Sequence, residues 1–409
     1  MGIFARKTSW TPEQIPDQTG KVVVVTGGNA GIGYVTCKHI ARRGARIYIA
    51  SRSLDRTLPA IASLKEETGN ENIHHLPLDL TSLSSIRSAA TTFLGSESRL
   101  DILINNAGIM LTPYGLTKDG YELQFGTNHV GHYAFTHLLL PTLLRTAALP
   151  DSIPGSVRVV SIASEGHRGA PSCGIDFGDV NLEKSNPATR YGQSKLANIL
   201  HARALHNHYH ASPGSPIFVS VHPGVIYTDL YKELSGPGVV STLLSPFMWL
   251  AKKSPLFISL EEGAWTQLYA ATAPGVESGS YLEALCSVGT PTRQGRDEGL
   301  AEKLWEWSLA ELERHGIKAD AEAKPTPGLA EEDLRFIPPF TPTHFLAMIN
   351  MHTSLENLDE RLWHLSRTTT HIDISAFFPK LGIHAAPFPA QSVLNVEFGV
   401  IGGVAGECE

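Results

Sequence analysis

Cysteine is scarce. The 409 residues contain four (Cys37, Cys173, Cys286, Cys408), set far apart, with no Cys-x-x-Cys pair and no Cys/His zinc spacing. A disulfide framework and a metal site are therefore not expected; reduced thiols in a cytoplasmic protein are. Positive charge is also in short supply, since 33 Lys and Arg face 40 Asp and Glu for a net of −7 and a pI near 6.2. Nothing here offers the basic surface that phosphate backbones attract, which argues against a nucleic-acid partner. The acidity is concentrated: from Thr326 onward four basic residues meet ten acidic ones. Long apolar runs are missing too. The longest, Val239 to Leu250, is too short to span a bilayer. Residues Met1 to Trp10 lack the apolar stretch of a signal peptide, and Arg6 stands where a myristoylation signal wants Ser or Thr.

What remains is ordinary globular composition, 42 % hydrophobic and 18 % charged, with mean hydropathy near zero. It excludes disorder for most of the length. After a polar lead-in (residues 1–20), Lys21 to Thr26 is a β-branched run between glycines and reads as a buried strand. Helical and strand patterns then alternate. Strands are expected at Arg46–Ala50, Asn72–Leu78, Asp101–Asn105, Val157–Ile162 and Ile217–His222. Helices are expected near Ser53–Thr68, Ser82–Leu94, Tyr121–Leu144 and Ala188–His208. Such alternation implies an α/β fold, a single doubly wound parallel sheet covered on both faces, over residues 21–323. The rhythm breaks at 225–260, which is rich in Pro, Gly and large apolar residues and reads as a lid, with core or membrane-surface contact as alternatives. A helix near Glu261–Ala273, a short strand at Ser280–Leu282 and an amphipathic helix over Leu300–His315 follow. The Pro-rich Lys324–Gly328 reads as a linker, and 324–409 as a C-terminal extension with no recognisable site.

Three places carry chemistry. Thr26-Gly-Gly-Asn-Ala-Gly-Ile-Gly33 sits between the first strand and its helix, where glycines let a backbone approach a pyrophosphate at the helix N-terminus. At the end of the second strand, Ala50-Ser51-Arg52-Ser53 has no carboxylate to bond a ribose 2′-hydroxyl. Arg52 would instead accommodate a 2′-phosphate, which favours NADP(H) over NAD; a solvated surface charge is its plainer reading. Tyr191 and Lys195 stand four apart on one helix face. An ammonium beside a phenol favours the phenolate, bringing a group that ordinarily titrates near about 10 toward the range of general acid–base work. Asn105-Asn-Ala-Gly108, Asn128 and Ser161-Ile-Ala-Ser164 fall at strand ends or on the adjoining helix, where open α/β sheets bind ligands.

With these motifs in this order, the sequence from Lys21 to His315 resembles the short-chain dehydrogenase/reductase family in its single-domain form. Asn128-His-Val-Gly-His132, Tyr191-Gly-Gln-Ser-Lys-Leu-Ala-Asn198 and Val221-His-Pro-Gly224 are similar to the branch of the retinol dehydrogenases, the WW-domain oxidoreductase and protochlorophyllide-reductase-like proteins. The helix around Leu304-Trp-Glu-Trp307 resembles fungal members. The resemblance implies that Tyr191 exchanges a proton with the substrate oxygen. It further implies that Lys195 holds the nicotinamide ribose, Ser164 (in preference to Ser161) binds the substrate carbonyl, and Asn128 holds a relay water. On the cofactor side it implies Gly27, Asn29, Gly31, Ile32 and Gly33 at the phosphates and Arg52 at the 2′-phosphate. Asp79 and Leu80 would meet the adenine, Asn106, Ala107 and Gly108 its ribose, and Pro223, Gly224, Val225 and Thr228 the nicotinamide. An oxidoreductase acting on carbonyls or alcohols of a lipophilic small molecule follows, in the reducing direction if NADP(H) is used, with secondary metabolism and homo-oligomers as the family's further suggestions. The alternatives are a cofactor-binding regulator or scaffold, with the tail covering the cleft, and a sugar-nucleotide epimerase or dehydratase, disfavoured because Ala30 occupies a glycine position of that motif. His129 and His132, flanking Asn128, read as packing residues, and His206 to His210 as a solvated helix end rather than a metal site.

Overall fold

The structure, a computed structural model, describes residues 8–210, 214–226 and 258–317. Thr228, most of the expected lid and the extension at 324–409 lie outside the described residues.

β1 (Val22–Thr26) is buried along its whole length. Because successive strand residues point to opposite faces, Val22 and Val24 enter one apolar layer and Val23 and Val25 the other. β2 (Arg46–Ser51), β3 (Ile73–Pro77), β4 (Ile102–Asn105), β5 (Arg158–Ile162), β6 (Ile217–Val221) and β7 (Tyr281–Glu283) pair in parallel, in the order β3-β2-β1-β4-β5-β6-β7. A two-residue strand not expected from the sequence, β8 (Ser287–Val288), adds antiparallel to β7. Helices cover both faces: α1 (Gly31–Ala41) and α2 (Leu54–Thr68) with α7 (Leu260–Thr272) on one, and α3 (Leu83–Ser96), α5 (Gly131–Ala147), α6 (Pro187–Tyr209) and α8 (Glu298–Arg314) on the other. The chain runs outward from β1 to β3 and returns to β4 beside β1. That reversal opens a crevice at the carboxyl ends of β1 and β4, the place where folds of this kind take ligands.

Two expectations need correction. The lead-in is not merely polar: Trp10 and Ile15 are buried in the α1–α7 layer, and Trp10 meets Tyr269 edge-on at 5.6 Å. The helix expected from Tyr121 is also not one regular helix. A short turn, α4 (Leu123–Phe125), passes into a π-helical turn at Gly126–Val130 before α5 begins. Single π-turns concentrate at functional sites, and this one carries Asn128.

Candidate active site

The glycine turn follows β1 directly. Gly27 and Gly31 hold φ +66° and +56°, which a side chain would strain. A Cβ at Gly33 would sit 2.5 Å from both Asn106 Nδ2 and the Gly27 carbonyl, so only glycine lets α1 start this close to the turn. The helix N-cap, Ala30, supplies no capping side chain, and beyond Gly31 the space is open. The first N–H groups of an uncapped helix, at an unobstructed backbone, fit an incoming diphosphate.

Thr26 fastens this turn to the end of β4. Its hydroxyl oxygen accepts N–H bonds from Asn106 and Ala107, both at 2.9 Å, while Asn106 Nδ2 donates to the Thr26 carbonyl at 2.8 Å. Gln267, fully buried on α7, backs the turn by donating to Thr36, to Ile32 O and to Asn106 Oδ1. Arg52 is exposed where β2 ends. Asp79 is half-buried beyond β3; burial would raise its pKa, but hydrogen bonds from Thr81 and Lys118 outweigh it and hold the carboxylate low. Leu80 is buried and backs Gly131 at the start of α5. Pro223, Gly224 and Val225 follow β6, with Gly224 at φ +99°.

The four expected catalytic residues converge at the same sheet edge. Ser164, just past β5, accepts an N–H from Gly166 at 3.1 Å. A Cβ at Gly166 would lie 2.7 Å from the Tyr191 ring and 3.3 Å from Ser164 Oγ, so hydroxyl and ring edge border the same small gap. Lys195 lies one turn along α6, its Nζ 5.8 Å from the Tyr191 ring centre and donating to the Ile162 carbonyl at 2.9 Å. Burial lowers the Lys195 pKa to about 8. Asn128 and Lys195 meet across Gly108, whose missing Cβ would be 3.2 Å from Asn128 Oδ1 and 3.4 Å from Lys195 Nζ. The Asn128 amide is engaged on both sides: its oxygen accepts from Ile109 N, and its nitrogen donates to Ile109 O and Ser194 Oγ, all at 2.9 Å. Ser194 in turn donates to the Tyr191 carbonyl at 2.8 Å, tying the π-turn to the helix of Tyr191. Ser161 stays buried within β5.

Sequence reasoning missed the residues that brace these groups. Arg190, immediately before Tyr191 and buried, pairs with buried Glu122 at 3.2 Å and donates to the carbonyls of Ser185 and Thr112. His167 receives the Thr292 N–H on Nε2 at 3.1 Å and places Nδ1 2.7 Å from the Ser164 carbonyl. His129 is packed among aromatic rings as expected, but His132 is polar-bonded at both nitrogens. Arg190 and Glu122 lie in mixed polar sequence, Thr189-Arg-Tyr-Gly192 and Tyr121-Glu-Leu-Gln124, which reads as solvent-facing, and no signal pointed to the histidines. His206 and His210 stack at 5.1 Å, and His208 meets Glu302 at 2.9 Å. Among the described residues no group of three or more His, Cys, Asp or Glu could hold a metal ion.

The chain is similar to proteins already known. Residues 21–171 match the family described as short chain dehydrogenase. Over 314 residues the chain is 40 % identical to the short-chain dehydrogenase/reductase drtF of Aspergillus calidoustus, covering 75 % of this chain and 98 % of that protein. It is 40 % identical over 292 residues to retinol dehydrogenase 11 of Mus musculus, covering 71 % and 85 %. In structure it is similar to an uncharacterized protein from Mycobacterium paratuberculosis, with a TM-score of 0.56 and 31 % identity over 74 % of this chain and 97 % of the other.

Proposed function

Because the chain belongs to the short-chain dehydrogenase/reductase family of oxidoreductases, we propose that it reduces a carbonyl of a lipophilic small molecule with NADPH, or runs the reverse alcohol oxidation. The observation that carries this reading is the convergence of Ser164, Tyr191, Lys195 and Asn128 beside an uncapped glycine turn.

The turn residues Gly27, Asn29, Gly31, Ile32 and Gly33 would hold the diphosphate, and Asp79, Leu80 and Asn106 to Gly108 the adenosine. Arg52, exposed at the end of β2 where the run Ala50 to Ser53 contains no carboxylate, would meet the 2′-phosphate. Pro223 to Val225 would flank the nicotinamide; Thr228 completes that assignment from the sequence alone. When bound, the dinucleotide supplies or takes up the hydride; orientation and proton chemistry are the protein's. Ser164 Oγ, which already accepts the Gly166 N–H, has its proton left to donate to a substrate oxygen. Tyr191 adds the second hydrogen bond and delivers the proton as negative charge develops on that oxygen. The Lys195 ammonium favours the phenolate left behind. Since the Asn128 amide is already committed, a relay water toward Lys195 would be held by its main-chain carbonyl, through the lone pair not engaged by His132 Nδ1.

A lipophilic substrate is supported by the apolar composition of 225–260 and by similarity to retinol dehydrogenase 11. A role in secondary metabolism belongs to the same proposal, on the likeness of the helix around Leu304-Trp-Glu-Trp307 to fungal members. NADPH consumption with retinal, aliphatic ketones and phenanthrenequinone tests the reading. Tyr191→Phe should lower turnover by about 10²–10⁴-fold while NADPH binding survives; unchanged turnover would sink the assignment.

A further inference from the structure

His132 is 2 % exposed on the first turn of α5, and both ring nitrogens are engaged. Nδ1 lies 3.0 Å from the main-chain carbonyl of Asn128, and Nε2 lies 2.9 Å from Thr26 Oγ1. A carbonyl only accepts, so Nδ1 must carry the ring proton. In the neutral ring Nε2 is then a bare acceptor. Thr26 Oγ1 already accepts from Asn106 N and Ala107 N. Its own hydrogen has two acceptors in reach, His132 Nε2 at 2.9 Å and Ile104 O at 3.4 Å, and the shorter, lone-pair-bearing partner is the imidazole. The bonds therefore run in one direction: Asn106 and Ala107 N–H to Thr26, Thr26 O–H to His132, His132 N–H to Asn128 O.

We infer that His132 is a positioning residue with two separable duties: Nε2 holds the cofactor-side turns through Thr26, and Nδ1 holds the Asn128 carbonyl of the π-turn. The inference deepens the proposed function and rests on it. Its chemical content is a directional bridge: one nitrogen serves binding and the other serves turnover.

That division can be separated, because two amide side chains each imitate one nitrogen. Asn at this position places an N–H where Nδ1 was and does not reach Thr26. Gln carries a carbonyl oxygen to where Nε2 was and gives up the bond to Asn128. His132→Asn should raise the NADPH Kd by roughly tenfold and leave kcat for phenanthrenequinone within about twofold. His132→Gln should lower kcat by roughly tenfold and leave the NADPH Kd within about twofold. Both parameters moving together in both variants would mean that His132 only fills space, and would overturn the inference. Nitrogen NMR of the wild-type chain labelled on histidine decides the same point without relying on a variant's folding. The His132 ring, identified by its loss in either variant, should show a protonated Nδ1 and a bare Nε2; the opposite tautomer would refute the bridge. A wild-type chain that neither binds NADPH nor reduces the quinone, yet shows the expected tautomer, would instead bring down the functional reading.

Discussion

Lys195 buries its ammonium against the Ile162 carbonyl, and burial lowers its pKa to about 8. Reduction by the proposed route needs that charge to stabilise the phenolate that Tyr191 leaves behind. The charge is present below the lowered pKa and lost as pH rises through it. kcat/KM for NADPH-driven reduction should therefore decline above pH about 8, and a profile flat to about 10, where an ordinary lysine titrates, would contradict the role. At this scale the sequence was informative where chemistry has a fixed local spacing. Tyr191 and Lys195 stand one helical turn apart, and Asn128, Ser164 and the glycine turn sit at strand ends that hydrophobic alternation located. It was uninformative where a residue's meaning lies in a distant partner. His132 depends on Thr26, 106 positions away, and His167 on Thr292; no periodicity encodes either pairing, and a buried histidine in an apolar helix reads as packing.

Among the elements, the segment before α5 shows what pattern cannot reveal. An apolar stripe at Tyr121–Leu144 announces a helix, yet a slip from four-residue to five-residue bonding over Gly126–Val130 leaves the stripe almost unchanged while turning Asn128 onto Ile109 and Ser194. β8 was invisible for a simpler reason, since two residues make no alternation. Glu122 caps α4 through the N–H groups of Gln124 and Phe125 and pairs with Arg190, so one buried ion pair joins the approach to Asn128 with the start of the Tyr191 helix. Removing one partner strands the other's charge. Arg190→Met should cost about 3–5 kcal/mol in chemical denaturation, and a cost below about 1 kcal/mol, as for an exposed pair, would show that the pair is not what holds these elements together.

Across the whole molecule, neutral histidines are built into the interior. Burial pushes His129 down to about 3, and His132 and His222 each to about 4; His201 is held well below the ordinary value as well. Unfolded, each would take up a proton near pH 6.5. The unfolded chain then binds more protons than the folded one, so stability is full above about 6.5 and is lost as pH falls toward 4 and below. Each such histidine contributes a slope of up to about 1.4 kcal/mol per pH unit in that window. Denaturation midpoints should drop steeply between pH 6.5 and 4.5, and a midpoint independent of pH there would contradict the burial. The proposed function depends above all on the cofactor. The measurement that tests it most directly is a fluorescence titration of the full chain with NADPH and NADH, repeated on Arg52→Asp. NADPH should bind more tightly than NADH, and the substitution should weaken NADPH alone, by about tenfold or more, as expected when a charge-assisted bond is lost. Binding of neither dinucleotide to the wild-type chain would contradict the account at its root, and an unaltered preference in the variant would remove Arg52 from the site.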